Sequence, residues 1–270
     1  FEAIENADEA VNLLIEEAKK FAISAGVKKI IIGLNGHLSY GVGLSVDMNK
    51  PNTFDSTYTK TYYNKYFEKY TKYDLVAFSN SISNMINTIP NKESNILIRP
   101  INLKKFKEEI EEFRKVCNET IGKTFLYTLT EKLHFEELLE DMLFFLKPEN
   151  ILMAYDNNEL VGFIFWHPDY NEVLKKGKYN SLLGIALRYT LFKKKIKKIK
   201  LNAIGVKEKY QGIVTMNLLR EVTKYCHCDE LETNFVWCNN FKSMRLNKHI
   251  VNKNFKLITH HLHYHRTHNP

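Results

Sequence analysis

Apolar residues recur along this chain with two spacings, and their alternation sets out the elements. From Asp8 to Ala25 they fall at Val11, Leu14, Ile15, Ala18 and Ala22, the three-and-four spacing of one helix face, and Gly26 follows where a helix-ending glycine belongs. The run from Lys29 to Gly33 reads as a buried strand, and a glycine-punctuated loop extends from Gly33 to Gly43. A tyrosine-rich segment from Thr57 to Tyr70 predicts a helix whose aromatic rings mostly pack, with a carbohydrate or peptide platform as the alternative, and Asp74 to Ser79 predicts a strand. Serine and asparagine then dominate from Ser79 to Asn95 around Pro90, the composition of a linker.

Beyond it the pattern becomes dense. A strand is expected from Asn95 to Arg99, and helices from Leu103 to about Ile121 (apolar at Phe106, Ile110, Phe113, Val116 and Cys117) and from Thr130 to Phe145. Apolar runs Ile151 to Tyr155 and Leu160 to Trp166 flank the polar turn Asp156 to Glu159, which signals a hairpin. There follow a helix near Ser181 to Tyr189, a strand from Ile199 to Val206, a helix from Ile213 to Tyr225, a strand from Leu231 to Trp237, a helix from Asn240 to His249 and a last strand near Phe255 to His265. This order predicts an α/β fold with a mixed, twisted sheet carrying helices on both faces, in two units, residues 1–92 and 93–270.

Composition narrows the class. With 270 residues, 44% hydrophobic, 13% aromatic and 26% charged, the chain has material for a packed core, which excludes global disorder. Four cysteines without framework spacing point to free thiols in a reducing cytoplasm, and no apolar run approaches the roughly 20 residues that span a bilayer, so no membrane partner is expected. The net charge of +8 is local: between Thr190 and Arg220, eight lysines and Arg220 stand against Glu208 alone. Such a field suits an anionic ligand.

A strand ending at Val206, the loop Lys207 to Gly212 and a helix from Ile213 place unpaired N–H groups and a positive helix end where phosphate can sit, and Gly212 lets the backbone come close. The plainer alternative is an ordinary strand-to-helix turn. The stretch Ile-Gly-Val-Lys-Glu-Lys-Tyr-Gln-Gly-Ile-Val from Ile204 to Val214, followed by Leu218 and Leu219, resembles the coenzyme motif of the GNAT acetyltransferase superfamily. Asn240, Ser243 and the pair Asn254-Phe255 are similar to that family's next elements, so the resemblance spans Asn95 to about His265. Upstream, Gly33 to Leu44, Tyr62-Tyr63 and the strand at Asp74 resemble a bacterial subgroup with two GNAT-like repeats, residues 1–92 being a partial first copy whose opening strands either precede Phe1 or are degenerate.

The resemblance implies an acyl-CoA N-acyltransferase that passes an acetyl group from acetyl-CoA, as co-substrate, to an amine. The coenzyme would be held by Ile204, Gly205, Val206, Lys207, Lys209, Tyr210, Gln211, Gly212, Ile213, Val214, Asn240 and Ser243. The alternative is a non-catalytic acyl-CoA-binding module. Two departures from the family pattern bear on it: Gly212 is not followed by a second glycine or alanine, and Asn247 stands where many members carry the tyrosine that protonates the leaving thiolate. Candidate bases are Glu232 and His167, against the plainer readings of a solvated strand residue and a turn histidine; Tyr264 is the candidate replacement acid, or else a packing residue. The lysine run Lys193 to Lys200 has no interleaved aromatics, which favours a solvated face over nucleic acid. His261, His263 and His265 would share one strand face and could present nitrogens to Zn²⁺, but such tracts take up adventitious metal and no resident metal is expected. A monomer or homodimer is expected.

Overall fold

The computed structural model describes residues 2–46, 52–90, 94–140, 142, 146–175, 178, 180–250 and 256–266, and the side chains of these up to Lys248. In chain order the main elements are α1 (Asp8–Ser24), β1 (Lys29–Ile32), β2 (Leu44–Ser45), β3 (Thr71–Ser81), α2 (Ile82–Thr88), β4 (Leu97–Pro100), α3 (Phe106–Ile121), α4 (Lys132–Glu140), β5 (Ile151–Asp156) and β6 (Glu159–Pro168). Then come α5 (Leu182–Phe192), β7 (Lys198–Val206), α6 (Ile213–Tyr225), β8 (Glu230–Thr233), β9 (Val236–Trp237), α7 (Phe241–Ile250) and β10 (Lys256–Arg266).

Two compact units form, and they interleave along the sequence. The first takes Phe1–Ala77, Phe235–Arg245 and Leu257–Pro270; the second takes Phe78–Asn234 and Leu246–Lys256. The grouping thus differs from a division at residue 92, because the chain's last strand belongs with its first.

In the first unit β10 runs antiparallel to β1, with Tyr264 opposite Ile31 and His263 opposite Ile32, and β9 pairs antiparallel with β3. Helix α1 ends as its sequence predicts: Gly26 adopts φ +67°, its N–H reaches Ile23 O, and Val27 N–H reaches Ala22 O at 2.8 Å. Of its expected buried positions, Val11 and Ala22 are buried while Leu14 is exposed. The tyrosine segment forms a 3₁₀ helix over Thr61–Phe67, shorter than the helix predicted from Thr57. Its rings do pack: Tyr63, Tyr66, Phe67 and Tyr70 are buried, and the hydroxyls of Tyr62 and Tyr66 donate to the carbonyls of Ala3 and Ile4. Aromatic side chains favour helix weakly, so tertiary packing decides this segment's geometry.

The second unit holds a mixed sheet in the order β4–β5–β6–β7–β8, with β3 from Ser79 onward on the far side of β8. Only the β7–β8 pair is parallel; its neighbours are antiparallel. The predicted hairpin forms between β5 and β6, with Asn157 and Asn158 at φ +47° and +67°, the two-residue turn that matches strand twist. On one face α2 and α6 bury Met85, Leu218 and Val222 against Ile164, Trp166, Leu201 and Leu231. On the other, α3 and α4 bury Ile110, Phe113 and Phe135 against Met153, Phe163 and Phe165. Burying each such side chain contributes roughly 1.5–3 kcal/mol.

The stretch predicted as a linker is in part helix α2. Ser81 Oγ accepts from Asn84 N–H as its N-cap, and Ile82, Met85 and Ile89 face the core, so a polar composition concealed three buried apolar positions. No helix among the described residues is long and apolar enough to cross a membrane.

Candidate functional site

The second unit's sheet opens at one place. β7 pairs with β8 only from Lys198 to Leu201, opposite Glu230 to Thr233, whereas it pairs with β6 from Ile199 to Val206. A bulge makes the break: Trp166 opposes Leu201 and Phe165 opposes Ala203, leaving Asn202 as the extra residue. Asn234 holds the opening, its side-chain amide donating to Asn202 O and Oδ1 at 3.0 Å each and its N–H to Leu201 O at 2.8 Å.

Past the bulge, pleating assigns each backbone group a direction. Lys207 N–H bonds to Val161 O at 2.9 Å, which makes Val206 and Gly162 a non-hydrogen-bonded pair. Gly205 and Ala203 therefore spend their main-chain groups on β6, while those of Ile204 and Val206 point to the open edge. Gly205 is packed closely: a Cβ there would land on Thr120 Oγ1 and within 2.5 Å of the Phe163 ring.

The chain then makes a short 3₁₀ turn over Glu208–Tyr210 and enters α6 through Gly212, at φ +92° and ψ −79°. A Cβ on Gly212 would meet no atom within 4 Å, so glycine is required there by backbone conformation and not by space. The N–H groups from Gly212 to Thr215 have no acceptor among the described residues, whereas Met216 N–H already bonds to Gly212 O. Four amide donors at a helix N-terminus beside an uncrowded glycine fit the phosphates of a coenzyme.

Two links to the β5–β6 turn hold this loop. Lys207 Nζ lies 2.7 Å from Glu159 Oε1 and 3.3 Å from Glu119 Oε2, and the Tyr210 hydroxyl donates to Asp156 Oδ2 at 2.8 Å. The bond to Glu159 is the main cause holding the Lys207 ammonium above its usual pKa, against partial burial and with Glu119 assisting. Hydrogen bonding to Asp156 likewise leads in raising Tyr210. Lysine charge at the loop is thus answered by carboxylates. Of the remaining predicted contacts, Gln211 donates to Val206 O at 3.3 Å, Lys209 lies over the Tyr210 ring, Val214 is buried in the core and Ile213 is exposed.

Glu232 and His167 lie in one row across the sheet, with a third residue between them. His167 on β6 opposes Lys200 on β7, Lys200 adjoins Glu232 on β8, and Glu232 opposes Ser79 on β3. All four are buried, at 0%, 1%, 4% and 7% exposure respectively, so the solvated-strand reading of Glu232 is corrected. Two strand spacings put Glu232 and His167 about 10 Å apart at the backbone. Lys198 Nζ approaches Glu232 Oε2 at 3.6 Å from the same strand face. His167 is no turn histidine: Nδ1 is 2.9 Å from Pro168 O and its ring stacks on Tyr170, which burial pushes far above an ordinary tyrosine. In the sequence Lys200 is the last residue of a lysine run, and its one signal there is its place between the apolar Ile199 and Leu201, both buried in the strand.

Asn240, Ser243 and Tyr264 belong to the first unit, and the loop and row to the second. Asn240 Oδ1 accepts from Ser243 N–H at 3.2 Å and its carbonyl accepts from Met244 N–H, so the Asn-x-x-Ser spacing serves as the N-cap of α7. Tyr264 and the histidines His261, His263 and His265 sit on β10, where only the backbone is described, and Asn254-Phe255 lies outside the described residues. Asn247 is on α7, half-buried.

No family model matches the chain, and no curated protein does. Among solved structures it is similar to a GCN5-related N-acetyltransferase from Sphaerobacter thermophilus, at 12% identity and TM-score 0.47, covering 77% of this chain and 56% of that one. It is similar to a functionally unknown conserved protein from Staphylococcus epidermidis, at 12% identity and TM-score 0.49, covering 97% and 82%. A third is an aminoglycoside N-acetyltransferase in complex with CoA, at 14% identity and TM-score 0.39, covering 62% and 93%. The chain spans little more than half the length of the first of these.

Proposed function

We propose that the second unit binds acyl-CoA and transfers its acyl group to an amine, as a GNAT-type N-acetyltransferase using acetyl-CoA. The observation that carries this reading is the end of β7. A bulge frees the strand from β8, the main chain of Ile204 and Val206 faces the opening, and six residues after Val206 an uncrowded Gly212 exposes the amides of α6. The loop from Lys207 to Gly212 is the proposed holder of the pyrophosphate, and the Ile204 and Val206 amides the proposed donors to the pantetheine and thioester. When bound, acetyl-CoA supplies an acyl carbon activated for attack by an amine nitrogen.

This chain's own residues then have three tasks. A base must take a proton from the acceptor ammonium, donors must stabilise charge on the carbonyl oxygen as the C–N bond forms, and the CoA thiolate must be stabilised or protonated as the C–S bond breaks. Glu232 is the preferred base: it is buried, its strand borders the opening, and Lys198 Nζ lies 3.6 Å from its carboxylate. His167 is two strands away and stacked on Tyr170, which suits a role in holding the row better than one at the acceptor. The tandem organisation, with residues 1–92 a partial first copy, is part of the same proposal.

Asn247, at the place of the usual acid, favours a second reading in which the unit binds acyl-CoA without transfer. Free-thiol release from acetyl-CoA across a panel of small amines, amino acids and peptide N-termini separates the two. Amine-dependent release supports transfer, binding without release supports the module, and absence of binding overturns both.

A further inference from the structure

Helix α5 is apolar on the side that faces away from the protein. Leu183, Leu187 and Leu191 follow one another at i, i+4 and i+8 and are 70%, 61% and 65% exposed, while Ile185 is the helix's one buried residue among those described. Residues four apart lie on one helix face, so these three leucines form a stripe about 12 Å long. A stripe of this kind on a folded surface marks a contact that the protein makes with something else.

Charge identifies the contact. From Val173 to Lys207 the sequence holds ten lysines and Arg188 and not one aspartate or glutamate, more positive charge than the net +8 of the whole chain. The cations gather at both ends of the helix: Lys175 and Lys178 precede it, and Lys193, Lys194, Lys195 and Lys197 follow it, all exposed. Lys197 lies 3.4 Å from Asp229 and Lys195 lies over the Phe192 ring, while Lys193 and Lys194 have no acidic partner among the described residues. Two lysine clusters flanking a leucine stripe match a surface that is apolar beneath and anionic above, as at the boundary between lipid headgroups and acyl chains. A second copy of this chain would set lysine clusters against lysine clusters in either orientation of the paired helices. Nucleic acid would satisfy the lysines and leave the leucines in water.

We propose that α5 and its flanking lysines dock the protein on an anionic lipid bilayer, with Leu183, Leu187 and Leu191 entering the interface and the lysines meeting lipid phosphates. The expectation of no membrane partner rested on the lack of a spanning segment, and a helix lying in the interface needs none. The proposal is independent of acyl transfer.

Flotation of the full chain with vesicles of phosphatidylcholine alone, and with about 30% phosphatidylserine, tests it. Binding to the anionic vesicles only, weakened in high salt, is expected. The variant L183S/L187S/L191S should lose at least about tenfold in partitioning, and K193Q/K194Q about fivefold per lysine. Both variants change exposed side chains, so unchanged melting temperatures are expected and confirm that the loss is of binding. Three results would overturn the proposal: no binding to anionic vesicles, binding that survives the leucine variant, or a wild-type dimer that the leucine variant dissociates while vesicles go unbound.

Discussion

Replacing Gly212 by alanine isolates the backbone requirement of the proposed phosphate loop. At φ +92° and ψ −79° an L-residue is strained, and a new Cβ would touch nothing within 4 Å, so no clash or new packing confuses the result. Strain of this kind costs about 1–3 kcal/mol. It must appear in one of two places. If the free protein keeps the conformation, the melting temperature falls by about 2–4 °C for each kcal/mol and coenzyme affinity is kept. If the loop relaxes when free, the melt is unchanged and bound coenzyme must restore the geometry, weakening affinity by a factor of about 5 to 150. Thermal melting and calorimetry on Gly212→Ala read both. Gly26→Ala is the control: it carries a similar positive φ of +67°, also with open space around it, and should lower the melt with no effect on affinity. A Gly212→Ala protein with unchanged melt and unchanged affinity would refute the assignment of this glycine.

Four other perturbations test the surrounding structure. Glu159→Gln releases Lys207 from its shorter ion pair and should tighten binding of CoA by about two- to fivefold, the scale of an exposed pair, as read by calorimetry. Glu232→Gln keeps the shape of the buried row but removes the proposed base, and should lower kcat/KM for amine-dependent thiol release by about 10²–10⁴-fold, whereas an unchanged kcat/KM excludes Glu232 as the base. Gly205→Ala forces a methyl onto Thr120 and Phe163 and should cost about 1–3 kcal/mol in urea unfolding. Burial pushes the Cys228 thiol up to about 12 and raises Cys226 and Cys117 as well, so iodoacetamide at pH 8 should spare all three in the folded protein and label them in denaturant. The same shifts favour the folded state fully below the ordinary thiol range near 8.5, and that contribution is lost as pH rises from there toward 12.

What the sequence made legible was local. The hairpin at Asp156 to Glu159, the glycine that ends α1 and the bounds of α6 each follow from a few adjacent residues whose conformational preferences agree. Where a segment's state depends on distant partners, the pattern misled. The polar stretch after Ser79 is partly a helix because Ile82, Met85 and Ile89 meet a sheet formed by residues far along the chain. The tyrosine segment curls into 3₁₀ geometry because its hydroxyls and rings find Ala3, Ile4 and Val11. The loop from Lys207 to Gly212 was visible as a strand, a glycine and a helix, but its two carboxylate clamps were not, since Glu119 and Glu159 lie 88 and 48 positions from Lys207. Lys200 was hidden within a basic run because its burial comes from β6 and β8 on either side of β7, opposite His167 and beside Glu232, and those partners lie far from it in sequence.

The central claim is that the turn from Val206 to Gly212 holds a coenzyme's phosphates. Isothermal titration of the full chain with acetyl-CoA tests it most directly: a Kd of about 10–100 µM is expected, and no heat of binding up to about 1 mM would contradict it.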